Sequence, residues 1–99
     1  MVARIPLPKD RIARFCRRHH IQRLALFGSV VRNDFGPDSD VDVLVQFEPG
    51  KTPGWEFFEM QDELTRILGR SVDLNTPGFL SRYFRDRVVA EAETVYERT

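Results

Sequence analysis

The spacing of apolar and polar residues along the chain predicts helices and strands that alternate. After the loop-like residues 6–8, four residues recur on one helix face: Ile12, Phe15, Cys16 and His19. We therefore expect an amphipathic helix that Asp10 caps.

The apolar run 24–27, which Gly28 ends, is typical of a buried strand, and Ser29 can cap a short helical turn after it.

The rest of the chain continues this alternation. Residues 33–39 are rich in turn formers and lead into a second strand that begins at Val41. Residues 48–54 contain prolines and glycines that suit neither a helix nor the interior of a sheet, so they predict a loop. The pattern then predicts a helix over 55–68 ended by Gly69, a strand over 70–75, a helix over 79–92 and a strand over 94–96.

This order of elements predicts the fold class. It favours an α/β or α+β fold in which a small mixed sheet of about four strands carries helices on one face. The length of 99 residues fits one domain, 1–99, with one small core. No apolar run is long enough to span a membrane and the N-terminus lacks the apolar stretch of a secretory signal, so we expect a cytoplasmic protein.

The charge balance is uneven along the chain although the totals cancel. Residues 1–34 hold eight basic and two acidic side chains, whereas residues 35–69 hold two basic and eight acidic ones. The middle third is therefore suited to binding cations. The arginines of the first helix are typical of a solvated face, and nucleic-acid binding through them remains open but less favoured.

A group of aspartates gives the middle third a specific chemistry. Asp40 and Asp42 share one face of the second strand, because successive side chains of a strand point to opposite faces. Asp73 adds a third carboxylate if its strand lies alongside the second. Three carboxylates on adjoining strands can hold two divalent ions, Mg²⁺ or Mn²⁺, which is what nucleotidyl transfer requires. An EF-hand is excluded, since Val43 and Pro49 stand where it needs glycine and glutamate.

The turn after the first strand is a candidate phosphate site. Gly28 lets a phosphate approach the backbone, and Ser29 adds a hydroxyl to the N–H groups of a helical turn. Arg32 follows directly and can pair with a triphosphate or with an acidic neighbour, Asp34 or Asp38.

Taken together, these two motifs resemble a known signature. Gly28-Ser29, ten intervening residues and then Asp40-Val41-Asp42 resemble the signature of the polymerase-β-like nucleotidyltransferases. Residues 26–32 and 37–45 are similar to its minimal nucleotidyltransferase branch. The resemblance implies that Asp40 and Asp42 bind metal, that Asp73 completes the triad, and that the Gly-Ser turn holds the triphosphate.

The resemblance also implies a partner. Members of this branch are often the antitoxin halves of two-gene modules, paired with a small helical nuclease of the HEPN class that some of them silence by adding AMP from ATP to a tyrosine. Three hypotheses stay open: transfer to a protein, inhibition by binding alone, and transfer to RNA or a small molecule. We expect a partner to dock on aromatic residues near the 48–54 loop and after the third strand: Trp55, Phe58, Phe79, Tyr83 and Phe84.

Overall fold

The computed structural model describes residues 5–31, 36, 39–79 and 85–98, with the side chain of Phe79 excepted. Within these ranges the chain forms three α-helices and four β-strands. In chain order they are α1 (Lys9–Arg18), β1 (Ile21–Phe27), β2 (Val41–Phe47), α2 (Glu56–Leu68), β3 (Val72–Asn75), α3 (Arg85–Glu91) and β4 (Glu93–Glu97). Two 3₁₀ turns follow β1 and β3, at Gly28–Val31 and Pro77–Phe79.

The strands form one mixed sheet in the order β3-β2-β1-β4. The central strand β1 is antiparallel to both β2 and β4, whereas β2 and β3 run parallel. A parallel pair needs a crossover connection, and α2 supplies it. The expected fold class, a mixed sheet of about four strands with helices packed on one face, is confirmed.

The core lies between the sheet and the helices α1 and α2. The alternate residues Val41, Val43 and Val45 of β2 are fully buried in it, as the strand pattern predicts. Ala25 of β1 is paired with Leu44 of β2, and both are also fully buried. They do not belong to the core between the sheet and the helices, so they lie on the other face of the sheet. The second face of the sheet is therefore covered at its centre, while the end that carries Asp42 and Asp73 is accessible.

The packing of the two long helices follows from their apolar spacing. Helix α2 buries Phe57, Met60 and Leu64, which lie three and four residues apart and so share one face. It ends at Gly69, which takes a left-handed conformation with φ of 71°. Fully burying each of these side chains contributes on the order of 1.5–3 kcal/mol.

The first helix begins differently from the expectation. The prediction that Asp10 caps it is wrong, because Pro8 stands at the cap position and no side-chain hydrogen bond caps the helix. The fixed φ of proline is compatible with a helix start, and Asp10 lies in the first turn, where its charge complements the helix dipole.

The predicted ends of other elements also shift. Strand β1 begins at Ile21, three residues earlier than the apolar run, because the buried Ile21 is separated from that run by two polar residues, Gln22 and Arg23. Of the expected helix over 79–92, α3 (Arg85–Glu91) is confirmed, Phe79 instead lies in the Pro77–Phe79 turn, and residues 80–84 lie outside the described residues. In the described part of the chain, no helix has the length and apolarity needed to cross a membrane.

Candidate active site

The turn after β1 places backbone directly against a carboxylate. Gly28 has a φ of 73°, and a Cβ built on it would overlap the carboxylate of Asp42, with Asp42 Cγ only 3.1 Å away. A glycine is therefore needed here for two reasons, its left-handed backbone and the close approach of Asp42. Ser29, the next residue, is partly buried in the same 3₁₀ turn.

Strand β2 holds Asp42 at the centre of this region. Asp42 is paired with Phe27 of β1 on one side and with Asp73 of β3 on the other. It is partly buried, whereas Asp40, just before the strand begins, and Asp73 are exposed. The Gly28 turn, Asp42 and Asp73 thus form a continuous row across three elements.

The position of Asp73 confirms the expected strand pairing. Asp42 and Asp73 are directly opposite in the parallel register, so their Cα atoms are separated by about one strand spacing, roughly 4.8 Å. Residues paired in this way project to the same face of the sheet. Residues that are 31 positions apart in the sequence therefore bring two carboxylates to one place.

Not every candidate joins this row. As the side chains stand in the described residues, no three His, Cys, Asp or Glu side chains form a cluster that could hold a metal ion. Asp40 is therefore not assembled with Asp42 and Asp73 into a three-ligand cage. The donor set nevertheless suits a hard cation, because aspartate oxygens are the ligands that Mg²⁺ and Mn²⁺ prefer. Arg32 and Asp38 lie outside the described residues.

Two residues that position the site were missed from the sequence. Gln61 of α2 accepts a hydrogen bond through Oε1 from the backbone N–H of Leu74, at 2.9 Å, and so fixes β3 next to Asp73. Arg70 donates a hydrogen bond from Nη2 to the carbonyl of Gly36 at 3.4 Å. The Gly36 N–H also donates a hydrogen bond to Oγ of Ser39, the residue before Asp40, at 3.0 Å. The contacts of Gln61 and Arg70 join residues that are 13 and 34 positions apart, so no local pattern in the sequence indicates them.

The histidine that ends α1 has a structural role. His19 is the C-cap residue of α1, and its Nε2 lies 3.0 Å from Oε1 of Glu63 on α2. Glu63 also pairs with Arg18. Burial, and after it the positive charge of Arg18, lowers the pKa of His19 below 6.5, while Glu56 acts in the opposite direction. His19 therefore joins the end of α1 to α2.

The fold and the row of Gly28, Asp42 and Asp73 are those expected of one class of protein, the nucleotidyltransferases. The model of the nucleotidyltransferase domain family matches residues 9–96. The chain belongs to this family. The expectation drawn from the Gly-Ser and Asp-x-Asp motifs is thereby confirmed at the level of family and enzyme class.

Several known proteins are similar to the chain. A protein of Methanocaldococcus jannaschii, named as a putative protein adenylyltransferase, is 33% identical over 87 residues, which cover 88% of the chain and 92% of that protein. The protein adenylyltransferase MntA of Thermococcus cleftensis is 41% identical over 58 residues, 58% of the chain and 57% of that protein. A crystal structure of a toxin-antitoxin with AMP-PNP has the same fold, with a TM-score of 0.75 and 22% sequence identity. The match covers 94% of the chain and 76% of the chain in that crystal structure.

Proposed function

We propose that the protein transfers AMP from ATP to a hydroxyl group of a partner protein, and that this silences a helical toxin of the HEPN class in the cytoplasm. The observation that carries the proposal is the register of β2 and β3, which sets Asp42 beside Asp73 next to the Gly28 turn. The names of the two archaeal relatives support protein as the acceptor. Residues 1–99 would act as a single domain.

Each residue of the row has a distinct task in this proposal. Backbone N–H groups at the start of the 3₁₀ turn lack an acceptor within the turn, so Gly28 and Ser29 are suited to hold the triphosphate, with Arg32 following. Asp40, Asp42 and Asp73 would hold Mg²⁺ or Mn²⁺. Ions held there would supply positive charge that favours deprotonation of the attacking oxygen and neutralises charge on the transferring phosphoryl group. The acceptor oxygen would form a bond to the α-phosphorus, the bond from the α-phosphorus to the oxygen that bridges it to the β-phosphate would break, pyrophosphate would leave, and the hydroxyl proton would pass to solvent.

The acceptor must be oriented by the partner, because a small domain offers one face only. Orientation of reactants can supply roughly 7–11 kcal/mol of a barrier. Trp55 is 87% exposed and Phe58 is 62% exposed, and their ring centroids are 6.2 Å apart. They stand at the start of α2, directly after the 48–54 loop, and form an apolar patch suited to a protein partner. Of the other candidate aromatics, Tyr83, Phe84 and the side chain of Phe79 lie outside the described residues.

The decisive experiment compares two double variants that each lose two negative charges. Asp40→Asn/Asp42→Asn should abolish transfer of labelled AMP to the partner and leave the protein folded, since it removes the charge that would hold the metal without changing side-chain size. Asp62→Asn/Asp86→Asn, at exposed positions on α2 and α3, should keep full activity. Full activity in the first variant would refute the proposal.

The same assay separates the alternative functions. If the first variant still inhibits the partner without any mass shift, the protein acts by binding alone. If RNA is labelled more efficiently than the partner, the acceptor is a nucleic acid. Trp55→Ala/Phe58→Ala should lower the labelling of the partner. The rise in melting temperature of the protein with Mg²⁺ and ATP should be unchanged in this variant, because the two side chains lie outside the row of Gly28, Asp42 and Asp73.

A further inference from the structure

A groove runs along the outer side of the helix layer, between α1 and α2. It has a volume of about 350 Å³, and six side chains line it: Arg11, Arg14, Arg18, Glu63, Arg66 and Ile67. Four of the six are arginines, although the whole chain has no net charge. The groove therefore concentrates positive charge at one place on the surface.

The arginines of α1 form a regular row. Arg11, Arg14 and Arg18 are three and four residues apart, so they lie on one face with rises of about 4.5 and 6 Å along the helix axis. Arg66 extends from α2 on the other side of the groove. Glu63 balances Arg18. The side chains of Arg11, Arg14 and Arg66 form no ion pair or hydrogen bond within residues 5–31, 36, 39–79 and 85–98.

We propose that this groove binds the phosphate backbone of a nucleic acid strand. Three guanidinium groups that have no carboxylate partner among the described residues repel one another, and an anion that lies between them removes this repulsion. The planar guanidinium group matches a phosphate through two parallel hydrogen bonds. A row of them along a helix suits a chain of regularly spaced phosphates better than one isolated anion.

The lining of the groove favours a nucleic acid over a protein partner. Ile67 is its only apolar lining residue within the described chain, whereas the centre of a protein interface is normally aromatic or aliphatic. No described aromatic side chain lines it either, so bases would not stack there. Binding should therefore be independent of base sequence and similar for RNA and DNA.

The groove is separate from the candidate active site. Helices α1 and α2 cover the face of the sheet that buries Val41, Val43 and Val45, while Asp42 alternates to the other face. A strand in the groove would leave the active-site face open for an acceptor. The inference thus goes beyond the proposed transfer reaction, and it can fail without affecting that reaction.

The test measures how binding depends on salt. A fluorescent single-stranded RNA of about 12 nucleotides, with DNA of the same sequence as a second arm, is titrated at several salt concentrations. Each phosphate contact contributes about −0.7 to the slope of log K against log salt for a single strand, so three arginines predict a slope of about −2. Arg14→Gln and Arg66→Gln should each reduce that slope by about 0.7. Both residues are exposed, so these variants should fold normally.

The matched control lies on the same helix. Arg17 is exposed on α1 but does not line the groove, so Arg17→Gln loses the same charge from the same helix and should keep the slope. An equal reduction in Arg17→Gln would show a diffuse basic surface and overturn the groove. No binding at low salt would overturn it as well. Displacement of RNA by polyglutamate at equal charge would assign the groove to an acidic protein instead.

Discussion

The close approach of Gly28 to Asp42 gives a sharp prediction about stability. Gly28→Ala places a Cβ into the carboxylate of Asp42 at a φ of 73°. The left-handed backbone alone costs an alanine roughly 1–2 kcal/mol, and the overlap should add about 1–3 kcal/mol as the carboxylate is displaced. The free energy of unfolding should therefore fall by about 2–5 kcal/mol.

Gly69 provides the matched control for this variant. It has a φ of 71°, and a Cβ built on it meets no atom within 4 Å. Gly69→Ala should therefore lose only the backbone cost of roughly 1–2 kcal/mol. Urea unfolding of both variants measures the difference through the midpoint, provided that the slope with denaturant is unchanged.

A double-mutant cycle then tests the cause. Asp42→Ala removes the carboxylate that the new methyl group would overlap, so in that background Gly28→Ala should cost no more than Gly69→Ala. If Gly28→Ala and Gly69→Ala destabilise the protein equally in the parent, Asp42 does not constrain Gly28 and the reasoning is refuted.

Three further predictions follow from other parts of the molecule. Mg²⁺ and ATP together should raise the melting temperature by on the order of 10 °C at a hundredfold excess over Kd, which is far more than either should raise it alone. If ATP binds as well in the presence of a chelator as in the presence of Mg²⁺, the aspartates do not form a metal site. Because folding lowers the pKa of His19, the free energy of unfolding should decline as the pH falls below 6.5. His19→Gln should make this decline smaller, as measured by urea unfolding at a series of pH values. Burial raises the pKa of Cys16 to about 12, so a thiol reagent at pH 8 should label it only in denaturant, and rapid labelling of the folded protein would contradict its burial.

The sequence predicts most of the fold because its apolar periods are strong. The valines of β2 and the apolar face of α2 alternate with the periods of a strand and a helix, and both patterns are confirmed. Gly28 and Asp42 could be identified from their motifs. Their contact could not, since it depends on how the turn after β1 meets β2.

Long-range contacts and element ends were less predictable. Gln61 and Arg70 form hydrogen bonds to distant backbone, and such contacts leave no periodic pattern in the sequence. The start of α1 was placed wrongly, because an aspartate in the first turn and an aspartate at the cap look alike in a sequence. The place of Asp73 was predicted as a conditional pairing, and only the register made it definite.

The order of the strands has a consequence for local opening of the molecule. Asp42 lies on an inner strand, whereas Asp73 lies on β3, a four-residue strand at the edge of the sheet. Edge strands held by few hydrogen bonds open more often than inner ones. The amides of β3 should therefore exchange with solvent faster than those of β2. Each opening would separate the two carboxylates while the remaining three strands stay paired, so the candidate site would be lost and regained without global unfolding.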